Sequence, residues 1–158
     1  MKEILTWQDI ETLSDQLVAS IDAGGETFTD ILALARGGMF PATLLAYGLG
    51  VRSIHSIALA SYEQDSQGAL EVKSDLPNLE GRSLLIVDDL ADTGKTLDFV
   101  KRLYPKAKVA CLLTKPEGKS RVDFFVKEYA QSVWIDFPWE KNEAEGIEKS
   151  RQRITQTA

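Results

Sequence analysis

Residues 84 to 97 read Leu84-Leu85-Ile86-Val87-Asp88-Asp89-Leu90-Ala91-Asp92-Thr93-Gly94-Lys95-Thr96-Leu97, and this stretch decides the fold. Its first half, entered from Ser83, is a continuous apolar run without polar alternation, the pattern of a strand buried on both faces. Two adjacent carboxylates follow. A short turn then opens a helix from about Gly94, with Leu97, Val100 and Leu103 along one side. Such a turn offers backbone N–H groups, a glycine for close approach and the hydroxyls of Thr93 and Thr96, which together suit a phosphate monoester at a helix N-terminus. Asp88 and Asp89, just upstream, can accept hydrogen bonds from vicinal sugar hydroxyls, and one can help hold Mg²⁺. A lone Asp-Asp pair more often only ends a strand and caps a helix; the adjoining Asp92-Thr93-Gly94-Lys95-Thr96 turns the balance toward function. Gly94-Lys95-Thr96 also matches the end of a nucleotide-hydrolysing P-loop. That motif needs a glycine five positions before its Gly-Lys pair, where this chain has Asp89. The P-loop reading fails.

Outward from this segment, strands and helices alternate. Residues 31–35 form a second apolar run that leads into Arg36-Gly37-Gly38, and a helix is expected from near Pro41 to Gly48 or Gly50. Further strands are expected at 54–59, 109–113 and 122–126. Ile10, Leu13, Leu17, Val18 and Ile21 recur at helical spacing behind a Thr6/Asp9 capping start. The pattern is α/β: a mostly parallel sheet flanked by helices, in one domain over residues 1–158. Ligands of such folds sit beyond the carboxyl ends of the strands, where both Arg36-Gly37-Gly38 and Asp88-Asp89 fall. Residues 62–82 are polar, with Gly68, Pro77 and Gly81, and read as one long loop of functional type. The polar tail at 141–158 reads as a peripheral helix or a partly disordered end.

The chain has 158 residues, 44% hydrophobic and 27% charged, with a net charge of −6. The length and apolar content allow a real core, and the acidic balance argues against a nucleic-acid-coating protein. The one cysteine, Cys111, lies inside an apolar run and reads as a core thiol in a reducing compartment. No apolar run reaches membrane-spanning length, so a soluble, cytoplasmic protein is expected. The lone His55 sits in a strand pattern and reads as structural.

Residues 84–97 resemble the phosphoribosyl pyrophosphate (PRPP) signature of type I phosphoribosyltransferases. More of the chain is similar to one branch, the bacterial xanthine-guanine phosphoribosyltransferases. The similar stretches include Ala35-Arg36-Gly37-Gly38-Met39-Phe40-Pro41, Ser61-Tyr62, Lys115-Pro116-Glu117-Gly118 and Trp134-Ile135-Asp136-Phe137-Pro138-Trp139. The resemblance implies a purine-salvage enzyme that moves the 5-phosphoribosyl group of PRPP onto guanine, xanthine or hypoxanthine, with Mg²⁺ as cofactor. It implies a type I fold with a small base-binding hood, and a homodimer or homotetramer. By position, Asp88 and Asp89 bind the ribose hydroxyls, with Asp89 also at the metal. Leu90 falls within the same PRPP segment, and Ala91, Asp92, Thr93, Gly94, Lys95 and Thr96 form the 5′-phosphate loop. Arg36 and Gly37 grip the pyrophosphate. Lys115 donates to the 6-oxo group, Trp134 stacks on the base, the Ile135 backbone reads its 2-substituent, and Asp92 manages the N7 proton. Ser61 and Tyr62 begin a mobile loop that closes over the reaction centre.

Taken singly, most of these residues have plainer readings. Trp134 and Trp139 suit a core, Lys115 a solvated turn, and Arg36 a strand-end surface. Only their joint occurrence with the PRPP segment turns those odds. Two features depart from the family pattern. Residues 53–81 contain no arginine where the branch carries one in its mobile loop, although Lys73 is nearby; and Lys95 stands where the branch usually has glycine. Two alternatives stand beside the salvage enzyme: a regulator that keeps the PRPP fold as a sensor, and a phosphoribosyltransferase for another base. The regulator predicts a basic face, and this sequence has no strongly basic run.

Overall fold

The computed structural model describes residues 1–61 and 69–157. In chain order the elements are β1 (Lys2–Ile4), α1 (Trp7–Ala23), β2 (Asp30–Ala35), α2 (Met39–Leu49), β3 (Ser53–Ser61), β4 (Leu70–Val72), β5 (Leu84–Ala91), α3 (Lys95–Leu103), β6 (Lys108–Thr114), β7 (Phe124–Glu128), β8 (Trp134–Asp136) and α4 (Glu143–Thr157). Six strands make the main sheet in the order β4-β3-β2-β5-β6-β7. Every pair in it is parallel except β3 with β4. β5 lies inside the sheet, which explains its unbroken apolar run.

Side-chain alternation along β5 feeds two cores. Leu85 and Val87 pack among Ile10, Leu17, Ala42 and Leu45 of α1 and α2. Leu84 and Ile86 point the other way, among Leu97 and Val100 of α3 and Cys111 of β6. Each element therefore buries the face its period supplies. α1 begins with a complete capping box: Asp9 N–H donates to Thr6 Oγ1 at 3.2 Å, and Thr6 N–H donates to Asp9 Oδ2 at 2.7 Å. Cys111 is fully buried, and burial pushes its thiol pKa well up, so it is an inert core group.

At the far end of the sheet, Asp30 is 2% exposed. It accepts from Arg82 Nε at 2.6 Å and Ser53 Oγ at 2.7 Å, and His55 Nε2 lies 2.9 Å away. Burial opposes ionisation of this carboxyl. Hydrogen bonds from His55, Thr29, Arg82 and Ser53 overcome that and hold its pKa well below the ordinary carboxylate range. His55 is thus structural, as its strand position suggested.

The structure corrects two sequence expectations, adds one strand, and takes the helical one of the two readings of the tail. The span 62–82 is not one loop, because Leu70–Val72 returns as β4, antiparallel to β3, with Leu59 opposite Val72 and Ser61 opposite Leu70. A strand of three residues is too short to show a period, which hid it. Residues 62–68, including Tyr62, lie outside the described residues. The last sheet strand starts at Phe124 rather than Val122, because Val122 closes a short 3₁₀ turn over Lys119–Arg121. β1 was not expected at all. It pairs in parallel with β8, Lys2 opposite Trp134 and Ile4 opposite Asp136, so the two ends of the fold join in one small second sheet. The tail is an ordered helix, α4, from Glu143 to Thr157. Among the described residues, no helix is long and apolar enough to cross a membrane.

Candidate active site

The carboxyl ends of β2 and β5 meet in one cleft. Arg36, Gly37, Asp88, Thr93, Lys95 and Thr96 line a pocket of about 470 Å³. The Ala35–Arg36 peptide bond at its wall is cis. Gly37 lets the backbone approach Asp89 closely: a Cβ there would lie 2.0 Å from Asp89 Oδ2 and displace that carboxylate. Gly94 caps α3 in the left-handed region, at φ 85°, which favours glycine. The nine-residue α3 then presents its first-turn N–H groups to the pocket.

Asp88 and Asp89 brace each other through the backbone. Asp89 N–H donates to Asp88 Oδ1 at 2.9 Å, and Leu90 N–H donates to Asp89 Oδ1 at 2.8 Å. Burial raises the pKa of both carboxyls, and for Asp88 the adjacent Asp89 charge adds to it. Two crowded carboxylates of raised pKa form a site that gains from a cation or from hydroxyl donors. Among the described residues, no cluster of three His, Cys, Asp or Glu side chains could by itself hold a metal.

Beyond the β5–α3 turn, the backbone of Lys115 is tied to β5, its N–H donating to Ala91 O at 2.9 Å. This places Lys115 at the carboxyl end of β6, buried, with Nζ 3.1 Å from Asp92 Oδ2. The solvated-turn reading of Lys115 therefore does not hold. Trp134 is 67% exposed and so is not a core aromatic. Its indole N–H donates to Asp136 Oδ1 at 2.7 Å, and Lys2 Nζ lies 2.6 Å from Asp136 Oδ2. The Lys2 contact, with the indole bond, lowers the Asp136 pKa. Ile135, between them, is buried in the core next to α1 and α2. Trp139 does keep the plainer role, stacked between Phe40 and Phe137 at centroid distances of 4.5 and 4.8 Å.

Three residues that join this neighbourhood escaped the sequence. Arg121 lies against Gly94, pairs with Asp98 through Nε at 3.1 Å and Nη2 at 3.2 Å, and donates from Nη1 to Glu117 O at 2.6 Å. It thereby offsets the acidic Asp98 in the first turn of α3, which would otherwise repel a phosphate. Gln131 donates from Nε2 to Asp92 Oδ1 at 2.7 Å. Glu143, in the first turn of α4, forms an ion pair with Arg36. Both Arg36 and Glu143 also line a larger adjoining cleft of about 1260 Å³ that reaches Asp89. Apart from the Arg121–Glu117 bond, four residues apart, these contacts join residues distant in the chain, and no local motif announces them. Lys73, the cation considered for the mobile-loop arginine, lies beside Glu71 at 2.6 Å.

A mostly parallel sheet flanked by helices, with an acidic pair on β5 and a glycine turn opening α3, places the chain in a fold class that comparison identifies. The family model described as "Phosphoribosyl transferase domain" matches residues 1–144, and the chain belongs to that family. Among similar proteins, the xanthine-guanine phosphoribosyltransferase of Chromohalobacter salexigens is 39% identical over 84% of this chain and 78% of its own length. The xanthine-guanine phosphoribosyltransferase of Vibrio atlanticus is 36% identical over 88% of this chain and 89% of its own. The crystal structure of a purine phosphoribosyltransferase from Pyrococcus horikoshii superposes with a TM-score of 0.78 at 30% identity, covering 89% of this chain and 94% of that one.

Proposed function

We propose that this chain transfers the 5-phosphoribosyl group of PRPP to a 6-oxopurine, releasing pyrophosphate and the 5′-mononucleotide. The observation that carries this reading is the buried Lys115 ammonium, held 3.1 Å from Asp92 beside the phosphate loop. A fixed, desolvated donor at that place suits a carbonyl acceptor and opposes an amino group. Similarity to two xanthine-guanine enzymes supports the same base class.

In this reading the α3 N-terminus, with Thr93, Lys95 and Thr96, takes the 5′-phosphate. Asp88 and Asp89 accept from the 2′- and 3′-hydroxyls, and Arg36 and Gly37 hold the pyrophosphate. Trp134 stacks on the base, Lys115 donates to the 6-oxo oxygen, the Ile135 backbone reads the 2-substituent, and Asp92 takes or shares the N7 proton. Mg²⁺ fits the hard oxygen donors of the Asp88–Asp89 pair, with substrate oxygens and water completing its shell. When bound, it would neutralise charge on the pyrophosphate. Catalysis is positioning and electrostatics: the purine nitrogen attacks the anomeric carbon as pyrophosphate departs, and the ribose acquires oxocarbenium-like character. No covalent enzyme intermediate is needed.

Pyrophosphate release, measured with PRPP, Mg²⁺ and a panel of bases, tests the proposal. The expected result is turnover with guanine, and with hypoxanthine and xanthine to differing degrees, and almost none with adenine or uracil. Release with adenine equal to that with guanine, or with uracil alone, would overturn it.

A further inference from the structure

Gln131 lies in the turn between β7 and β8, 39 residues from Asp92 in sequence, yet its Nε2 donates to Asp92 Oδ1 at 2.7 Å. Its other end is also engaged, because Glu117 N–H donates to Gln131 Oε1 at 3.2 Å. An ionised carboxylate only accepts, and a backbone N–H only donates. Of the two ways to place the amide, only the one with nitrogen toward Asp92 satisfies both partners. The two oxygens of Asp92 are therefore divided: Oδ2 faces Lys115 Nζ at 3.1 Å, and Oδ1 faces Gln131.

We infer that Gln131 is the positioning residue of the base site, acting through Asp92, on the reading of this site as a 6-oxopurine transferase. Asp92 is half exposed, and without a second donor its carboxylate could rotate about its terminal torsion. The Gln131 amide fixes that plane. It thereby fixes both the oxygen that meets N7 and the direction in which Lys115 presents its remaining protons to the 6-oxo group. The same side chain ties the Lys115–Glu117 turn to the segment that leads into Trp134. One amide thus registers the acid, the carbonyl donor and the stacking platform against each other.

The test separates this role from a structural one. Gln131→Glu is isosteric and keeps the acceptor for Glu117 N–H, but it replaces the donor to Asp92 with a second carboxylate. Gln131→Met removes the donor without adding charge. With guanine as base, kcat is expected to fall in both variants by on the order of tenfold, as for a small misplacement of reacting groups. The KM for PRPP is expected to stay within about twofold, and Tm close to wild type, since the phosphoribose contacts are untouched. If Gln131→Glu retains wild-type kcat, or if either variant loses PRPP binding and kcat together, the positioning role is overturned. Wild-type protein that makes no nucleotide from guanine, hypoxanthine or xanthine would instead overturn the 6-oxopurine reading, and the role of Gln131 with it.

Discussion

The two halves of the proposed site, one for the phosphoribose and one for the base, are built in opposite ways. The phosphoribose half comes chiefly from one continuous segment, in which β5 ends at Ala91 and α3 begins at Lys95, and hydrogen bonds between sequence neighbours fix its carboxylates. The base half is assembled from separate pieces: Lys115 after β6, Gln131 before β8, Trp134 on β8 and Lys2 on β1. Long-range side-chain contacts hold it together. A segment stiffened by its own backbone can keep one invariant ligand in place. A platform made of several side chains from different elements can change one contact, and so one base preference, without disturbing that ligand.

The largest effect expected from this comparison is at Asp89. Asp89→Asn removes the carboxylate assigned to ribose and Mg²⁺, and turnover with every base should fall by roughly a hundredfold or more, as when an electrostatic stabiliser is lost. Circular dichroism should remain unchanged. Equal activity at saturating Mg²⁺ would remove Asp89 from the site.

Gly37→Ala should act on the same half by displacement. The new Cβ would meet Asp89 Oδ2 at 2.0 Å, so the carboxylate must swing away. Because only the end of a side chain has to move, Tm should change little. Activity should drop by about tenfold or more, a loss shared by all bases. A large fall in Tm with normal specific activity would show that the backbone, not Asp89, yields.

Glu143→Gln should work in the opposite direction. Arg36 is 83% exposed, and in the proposed role Glu143 would compete with pyrophosphate for its guanidinium. An exposed ion pair is weak, so the KM for PRPP should fall by only about twofold. An increase would mean that Glu143 orients Arg36 instead of withholding it.

The smallest effect belongs to Asp136→Asn. The amide oxygen can still accept from the Trp134 indole, and only the exposed Lys2 pair is lost. The KM for guanine should rise by no more than about twofold. A tenfold rise would make Asp136 a direct contact of the base.

The same asymmetry decided what could be read from sequence. Residues 84–97 carried their strand and their turn in one window, and the mostly parallel sheet flanked by helices followed from the alternation of strands and helices along the chain; the strand order and the two cores are seen only in the structure. The position of Arg36 and Gly37 beside Asp88 was legible because they sit at a second strand end of the same kind. Arg121, Gln131 and Glu143 were not, because their partners Asp98, Asp92 and Arg36 lie far away in the chain. β4 and β1, of three residues each, were too short to show a period, and β1 exists only through its pairing with β8. Burial of Lys115 was equally invisible, since a lysine before a proline reads locally as a solvated turn.

The central claim is that the base is read separately from the phosphoribose, by a fixed ammonium. Its most direct test is the kcat/KM for guanine and for adenine in wild type and in Lys115→Ala. Losing one charge-assisted hydrogen bond removes about 1.5–3 kcal/mol, roughly tenfold to a hundredfold in rate. In Lys115→Ala, guanine should lose this factor, its advantage over adenine should narrow, and the KM for PRPP should hold. Unchanged guanine kinetics in Lys115→Ala, or wild-type protein that uses adenine as readily as guanine, would contradict it.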